Sequence, residues 1–161
     1  MGTNTDMQWW DIILATLGDV YREAMLKLPA GEAYVFMPAL SRAVGQAAAL
    51  RVFYKALVQE ETRPDVSYRE VEEKYMREYS SKRPELLAWI VARLETVLDY
   101  ARLTAPIFTH EDIPQTFVRE GYRTVVLRRE EFKYAEAANC VFDMFLRNLM
   151  FAIERVKRRL N

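Results

Sequence analysis

From Arg129 to Leu160 the chain runs for about 30 residues with neither Gly nor Pro, which as one helix makes a rod roughly 45 Å long. Between Cys140 and Ile153 that stretch is apolar on nearly every side: Cys140, Val141, Phe142, Met144, Phe145, Leu146, Leu149, Met150, Phe151 and Ile153. Asp143, Arg147 and Asn148 interrupt it. A surface helix shows one apolar stripe, whereas a helix apolar all round is covered by several neighbours. The pattern therefore predicts a long, buried C-terminal helix.

The same reasoning divides the rest of the chain. Trp9, Ile12, Ile13, Leu17, Val20 and Tyr21 recur at three and four, one helical stripe running from Asp6 to about Lys27. Leu28-Pro29-Ala30-Gly31 ends it. Tyr34-Val35-Phe36 fits either a short extended piece or the start of the next helix. Pro38 suits the first turn of a second helix reaching about Glu61, because its missing N–H has no partner there. That helix is rich in Ala and Gly, which permit close approach, so a central place in the packing is expected. Ser67-Tyr68-Arg69-Glu70 is a capping box opening a largely charged third helix to about Ser80. Pro84 opens a fourth, to about Thr104, with an apolar stripe through Leu87, Ile90, Val91, Leu94 and Leu98.

Pro106 and Pro114 exclude a continuous helix after Thr104. Gln115 to Leu127 reads as two β-rich runs about Glu120-Gly121, either a small hairpin or an arm that docks on a neighbour. An isolated hairpin is marginal in water, so either form needs something to pack against. The expected fold is mainly α: about five helices in a bundle, a long buried C-terminal helix and one small β-hairpin, within a single domain over residues 1–161.

Composition narrows the picture. Hydrophobic residues at 51% exclude wholesale disorder. Lys plus Arg and Asp plus Glu balance at 23 each, so only a one-sided distribution of the basic residues can favour nucleic acid. The single Cys140 allows no intramolecular disulfide and reads as a small buried hydrophobe. No uninterrupted apolar run approaches the roughly 18 residues of a membrane span, and no signal peptide is visible. Scarce Gln, Asn, Gly and His beside plentiful Glu, Arg and Lys suggest a thermophilic source. The expected setting is the cytoplasm of a thermophile, or a virion.

Catalytic chemistry finds little support. His110 is the only histidine, and a zinc site needs three or four ligands at suitable spacing. No Glu-x-x-His pair, nucleophile elbow or phosphate-cradling Gly-rich loop occurs, and neither a metal nor another cofactor is expected. Arg102 and His110 resemble the Arg–His pairing of some helical RNases, but Pro106 keeps them off one helix. Asp143 and Arg147, four apart on the most apolar helix, are expected to form a buried structural ion pair, with a phosphate partner for Arg147 as the alternative.

The basic residues are more suggestive. Arg119, Arg123, Arg128 and Arg129 bracket the expected hairpin; Arg155, Lys157, Arg158 and Arg159 end the last helix; Arg42, Arg51 and Lys55 lie on the second. Cations at a helix C-terminus complement its dipole, which is one ordinary cause. Arg also suits phosphate through its planar fork, so clusters sharing one face would bind a nucleic-acid backbone without reading its sequence. Trp9 and Trp10 are adjacent, so one of them is expected at the surface or at a subunit contact. Met144, Phe145 and Phe151 are the other expected assembly contacts.

Pro38-x-Leu40-x-Arg42-x-x-Gly45-x-x-x-Ala49-Leu50, with Phe145 and Arg147 in the last helix, resembles the small helical subunit of the CRISPR Cmr RNA-guided effector complex. Gln46 stands where that family has Leu, and Met144 where it has Trp. The resemblance implies a non-catalytic protein lying along guide and target RNA. In composition, apolar last helix, docking arm and Arg distribution, the chain is also similar to coat proteins of filamentous archaeal viruses, which wrap duplex DNA. Both point to a non-enzymatic subunit whose partners are copies of itself or a paralogue, and nucleic acid. The coat-like reading is preferred. A soluble helical enzyme or ligand-binding domain with an unrecognised site is the alternative from another class.

Overall fold

A computed structural model describes residues 5–58, 83–112 and 123–160. The described residues form five helices and two short strands: α1 (Thr5–Lys27), α2 (Ala30–Ala33), α3 (Met37–Leu57), α4 (Arg83–Thr104), β1 (Pro106–His110), β2 (Arg123–Leu127) and α5 (Arg129–Leu160). The architecture is mainly α, with α5 packed against α3 and α4, and α1 against α3 and α4. The expected helix from Tyr68 to Ser80 and its capping box lie outside the described residues, as do residues 59–61, the expected end of the second helix.

Proline shapes the first connection. The Pro29 carbonyl accepts from the amides of Glu32 and Ala33, both at 3.0 Å, and so opens α2. Phe36 N–H donates to the Ala33 carbonyl at 3.1 Å. Tyr34 to Phe36 is therefore a turn leading into α3, not an extended piece. Pro38 sits in the first turn of α3, where it replaces no helical hydrogen bond. Ala39, Leu40, Ala43, Ala47, Leu50 and Tyr54 are buried, which gives this helix its close neighbours on both sides.

The centre of the core is aromatic. Trp10 of α1 is fully buried, edge-on to Tyr54 of α3 at 5.2 Å and to Phe142 and Phe145 of α5 at 6.5 and 5.5 Å. Edge-to-face contacts add to burial because the positive ring edge meets the negative ring face. Of the adjacent tryptophans, Trp10 is thus a core residue. Trp9 is half-buried, with its ring 6.1 Å from Tyr100 of α4. Neither Trp10 nor Phe145 is exposed for an assembly contact, contrary to expectation.

The last helix spans the expected residues, but it is covered on one side only. Ala135, Ala138, Phe142, Phe145, Leu146, Leu149, Ala152, Ile153 and Val156 are buried. Cys140, Met144, Met150 and Phe151 are exposed. With α3 and α4 on its inner flanks, no described element covers its outer face. Cys140 is correspondingly a surface thiol, not a core residue.

The β structure differs in direction from the expectation. β2 pairs with β1 in parallel, Phe108 opposite Val125, instead of forming a hairpin about Gly121. Residues 113–122, which include Pro114 and Gly121, lie outside the described residues. A two-stranded sheet needs anchorage, and Asn139 of α5 supplies it. Its carboxamide accepts from Phe108 N–H at 2.9 Å and donates to Phe108 C=O at 2.8 Å. The side chain thus stands in for a further strand on the edge of β1 away from β2. Phe108 itself is buried, with its ring 6.1 Å from Tyr54.

Two substitutions check this arrangement. Trp10→Ala is expected to lower unfolding free energy by about 3–5 kcal/mol in urea titration, the usual cost of an emptied aromatic site. Asn139→Ala is expected to cost about 1–3 kcal/mol, because the Phe108 amide and carbonyl lose their partner in a part-buried place. Hydrogen exchange should show faster exchange of the Phe108 amide, with α1 and α3 unchanged.

Candidate nucleic-acid interface

The candidate cations divide according to what they touch. Arg51 of α3 pairs with Asp11 of α1. Arg129, at the start of α5, pairs with Asp112 in the turn after β1. The Lys157 ammonium lies 3.0 Å from Glu95 of α4. These ions join neighbouring elements, and their charge is largely met within the molecule. Arg128 has Glu131 at 4.0 Å in the first turn of α5. Lys55 is exposed near the end of α3, and Arg128 is also exposed. Arg119 and the side chain of Arg123 lie outside the described residues.

The remaining cations come together. α3 and α5 run antiparallel, with Asn148 between them: it accepts from Arg42 Nε at 3.3 Å and donates to Gln46 Oε1 at 3.0 Å. The start of α3 therefore lies beside the C-terminal half of α5. Beyond it, Arg155, Arg158 and Arg159 line an open depression of about 250 Å³ with Val35. The Arg155 guanidinium stands over the Phe151 ring, 4.6 Å from its centroid. Arg158 is 3.6 Å from Glu154, one helical turn back. Tyr34, next to Val35, is exposed. One end of the molecule thus presents arginines with aromatic rings among them.

Arg147 belongs to this end. It is exposed and Asp143 only half-buried, so the pair is not the buried one expected from their spacing. The helix turns both side chains away from the core because the buried face runs through Phe142, Phe145, Leu146 and Leu149. Of the expected assembly contacts, Met144 and Phe151 are exposed, on the outer side of the same helix.

The residues considered for catalysis have separate surroundings. Arg102 Nη2 is 3.7 Å from Met150 Sδ on the α4 side of α5. His110, at the end of β1, packs edge-on to Phe132 at 4.8 Å and accepts the Asp112 amide on Nδ1 at 3.2 Å. Asn139 and the Asp112–Arg129 pair tie β1 to α5; sequence reading missed both because they depend on contacts across the fold. Asn139, a lone uncharged polar residue between Ala138 and Cys140, is the signal by which the former could have been found. Among the described residues no group of three or more His, Cys, Asp or Glu is placed to hold a metal ion, and no helix is long and apolar enough to cross a membrane.

The internally met cations are expected to serve stability weakly. Arg51→Gln and Lys157→Gln should each change unfolding free energy by less than about 1 kcal/mol, since both pairs are well exposed. Thermal melts at low and high salt check this: the wild-type advantage should shrink as salt rises.

No protein-family model, no curated protein and no solved structure matches this chain.

Proposed function

We propose that the chain is a non-enzymatic structural subunit that assembles along nucleic acid through sequence-independent backbone contacts, in the manner of a virion coat protein. The observation that carries this reading is the depression lined by Arg155, Arg158 and Arg159. Three guanidinium groups around an open hollow suit the planar, multiply charged oxygens of a phosphate backbone. Arg42 and Arg147 extend the positive surface along α3 and α5. Phe151 and Tyr34 give bases something flat to lie on. Among the described residues the hollow is open and lined by cations and Val35, a composition suited to holding a polymer at the surface.

The helix dipole explains part of the cluster, because cations belong near a C-terminus. It does not explain why the arginines converge on one hollow beside α2. Part of the Pro38-to-Leu50 pattern that resembles the CRISPR small subunit follows from packing: Leu40, Ala43 and Leu50 are buried. Arg42, in contrast, is exposed at the basic end. That placement keeps the RNA-guided effector subunit as the second reading, with the preferred polymer as the discriminator.

Binding is best followed by anisotropy of labelled duplex DNA, duplex RNA and single-stranded RNA across a salt series, with light scattering to detect particles. The expected result is a linear fall of log K with log salt. Replacing Arg155, Arg158 and Arg159 together by Gln should reduce the slope by roughly 0.9 for each duplex phosphate that is no longer neutralised, and low-salt affinity by about tenfold or more. Arg51→Gln should leave the slope unchanged. Tighter binding of duplex DNA favours the coat reading; tighter binding of RNA favours the effector subunit. Absence of binding at low salt, or an unaltered slope in the triple variant, overturns the proposal.

A further inference from the structure

Arg147, Phe151, Arg155 and Arg159 follow one another at intervals of four along the C-terminal half of α5. Residues four apart on a helix are surface neighbours. Helical side chains also lean toward the N-terminus, so a cation comes to rest over a ring one turn before it. Arg155 does so, with its Cζ 4.6 Å from the Phe151 centroid. That is within the roughly 6 Å at which a ring face attracts a cation. Phe151 itself is 46% exposed, so filling the core is not what this ring contributes.

The arginines of the depression are held in different ways. Arg158 has the Glu154 carboxylate at 3.6 Å, which meets part of its charge. Arg159 is exposed. Arg155 is half-buried and rests on a ring instead. The difference matters for phosphate. A guanidinium recognises phosphate through the N–H donors set in its plane. A carboxylate competes for those donors. A ring attracts the cation as a whole and leaves the donors for another acceptor. An arginine on a bare surface must also lose rotamer freedom to grip a phosphate. A guanidinium already lodged on a ring has lost part of that freedom beforehand, which is preorganisation.

We propose that Phe151 is a positioning residue for backbone recognition: it holds the Arg155 guanidinium in the wall of the depression with its donors free for a phosphate. The inference rests on the phosphate-binding reading proposed above and adds the residue that sets the geometry of the cluster. A duplex hides its bases, so this role is separate from any unpaired base lying against the ring.

The test is anisotropy of a labelled duplex DNA titrated with the full chain across a salt series. Phe151→Leu keeps every charge and removes the ring face. It should bind about two- to fivefold more weakly at each salt, the scale of an exposed cation–π contact. Its slope of log K against log salt should equal that of wild type, because no cation is lost. Phe151→Tyr keeps a ring face and should restore the affinity. Arg155→Gln should lower the slope by roughly 0.9 for each phosphate no longer neutralised. In the Arg155→Gln background Phe151→Leu should have no further effect, since the ring acts through that guanidinium. NMR of the free protein reads the contact directly: ring current should shift the Arg155 side-chain protons upfield in wild type and Phe151→Tyr, and not in Phe151→Leu. Four outcomes overturn the positioning role while leaving the phosphate reading in place. They are unweakened binding by Phe151→Leu, an equal loss in the Arg155→Gln background, an unaltered slope in Arg155→Gln, and no upfield shift in wild type. Absence of duplex binding at low salt overturns it too, whereas the reading beneath it fails only when the RNA probes are also ignored.

Discussion

The fold depends on Trp10. Its indole, carried by α1, meets α3 through Tyr54 and α5 through Phe142 and Phe145. The indole meets the other three rings edge-on, and Phe142 and Phe145 stack on each other, so one aromatic cluster ties three helices together. Aliphatic cores tolerate repacking, whereas interlocked rings have few alternative arrangements. The indole N–H has no hydrogen-bond partner among the described residues. An N–H left in an aromatic setting carries a desolvation cost, so the site is held by ring contact and burial, not by a polar anchor.

Once Trp10 fixes which side of α5 faces inward, the rest of that helix follows. Phe142, Phe145 and Leu149 point to the core, and the small Ala135, Ala138 and Ala152 let neighbouring elements come close. Asn139 is turned toward β1 and holds Phe108 by both its backbone groups. The opposite side carries Cys140, Met144, Arg147 and Phe151. One helix thus serves as core wall, strand anchor and outer surface, with the division set by its rotation about its own axis.

This explains what could and could not be read from the residues in order. The helices were legible because spacing at three and four is a local property: α1, α4 and α5 span almost the residues that their patterns predict. Pro38 likewise marked the start of α3 by chemistry that involves its own turn alone. The direction of the strands was not legible, because β2 finds its partner in Pro106–His110 rather than across the nearest Gly. Nor was the inner face of α5: apolar residues all round a helix conceal which side is covered, and the number of neighbours decides it. For that reason the pattern alone counts Phe145 among the assembly contacts and Cys140 in the interior, the reverse of where the packing puts them. The ion pairs Arg51–Asp11, Arg129–Asp112 and Lys157–Glu95 join elements distant in sequence, so sorting met from unmet cations needed the fold.

The neutral net charge takes on a different meaning in this light. Glu130 and Glu131 open α5 and Lys157, Arg158 and Arg159 close it, an order that any long helix favours because it opposes the macrodipole. The preference acts within the first and last turns and needs no partner. Arg147 lies well inside the helix, where the dipole argument fades, and Arg155 stands over Phe151 with its charge turned toward the same end. Arg42 comes to that end from α3, near the opposite end of its helix from the C-terminus that cations favour. The cations that helix stability does not require are therefore the ones that the packing of α3 against α5 brings together. Among the described residues the gathering of these arginines at one end is thus a product of the antiparallel packing of two helices.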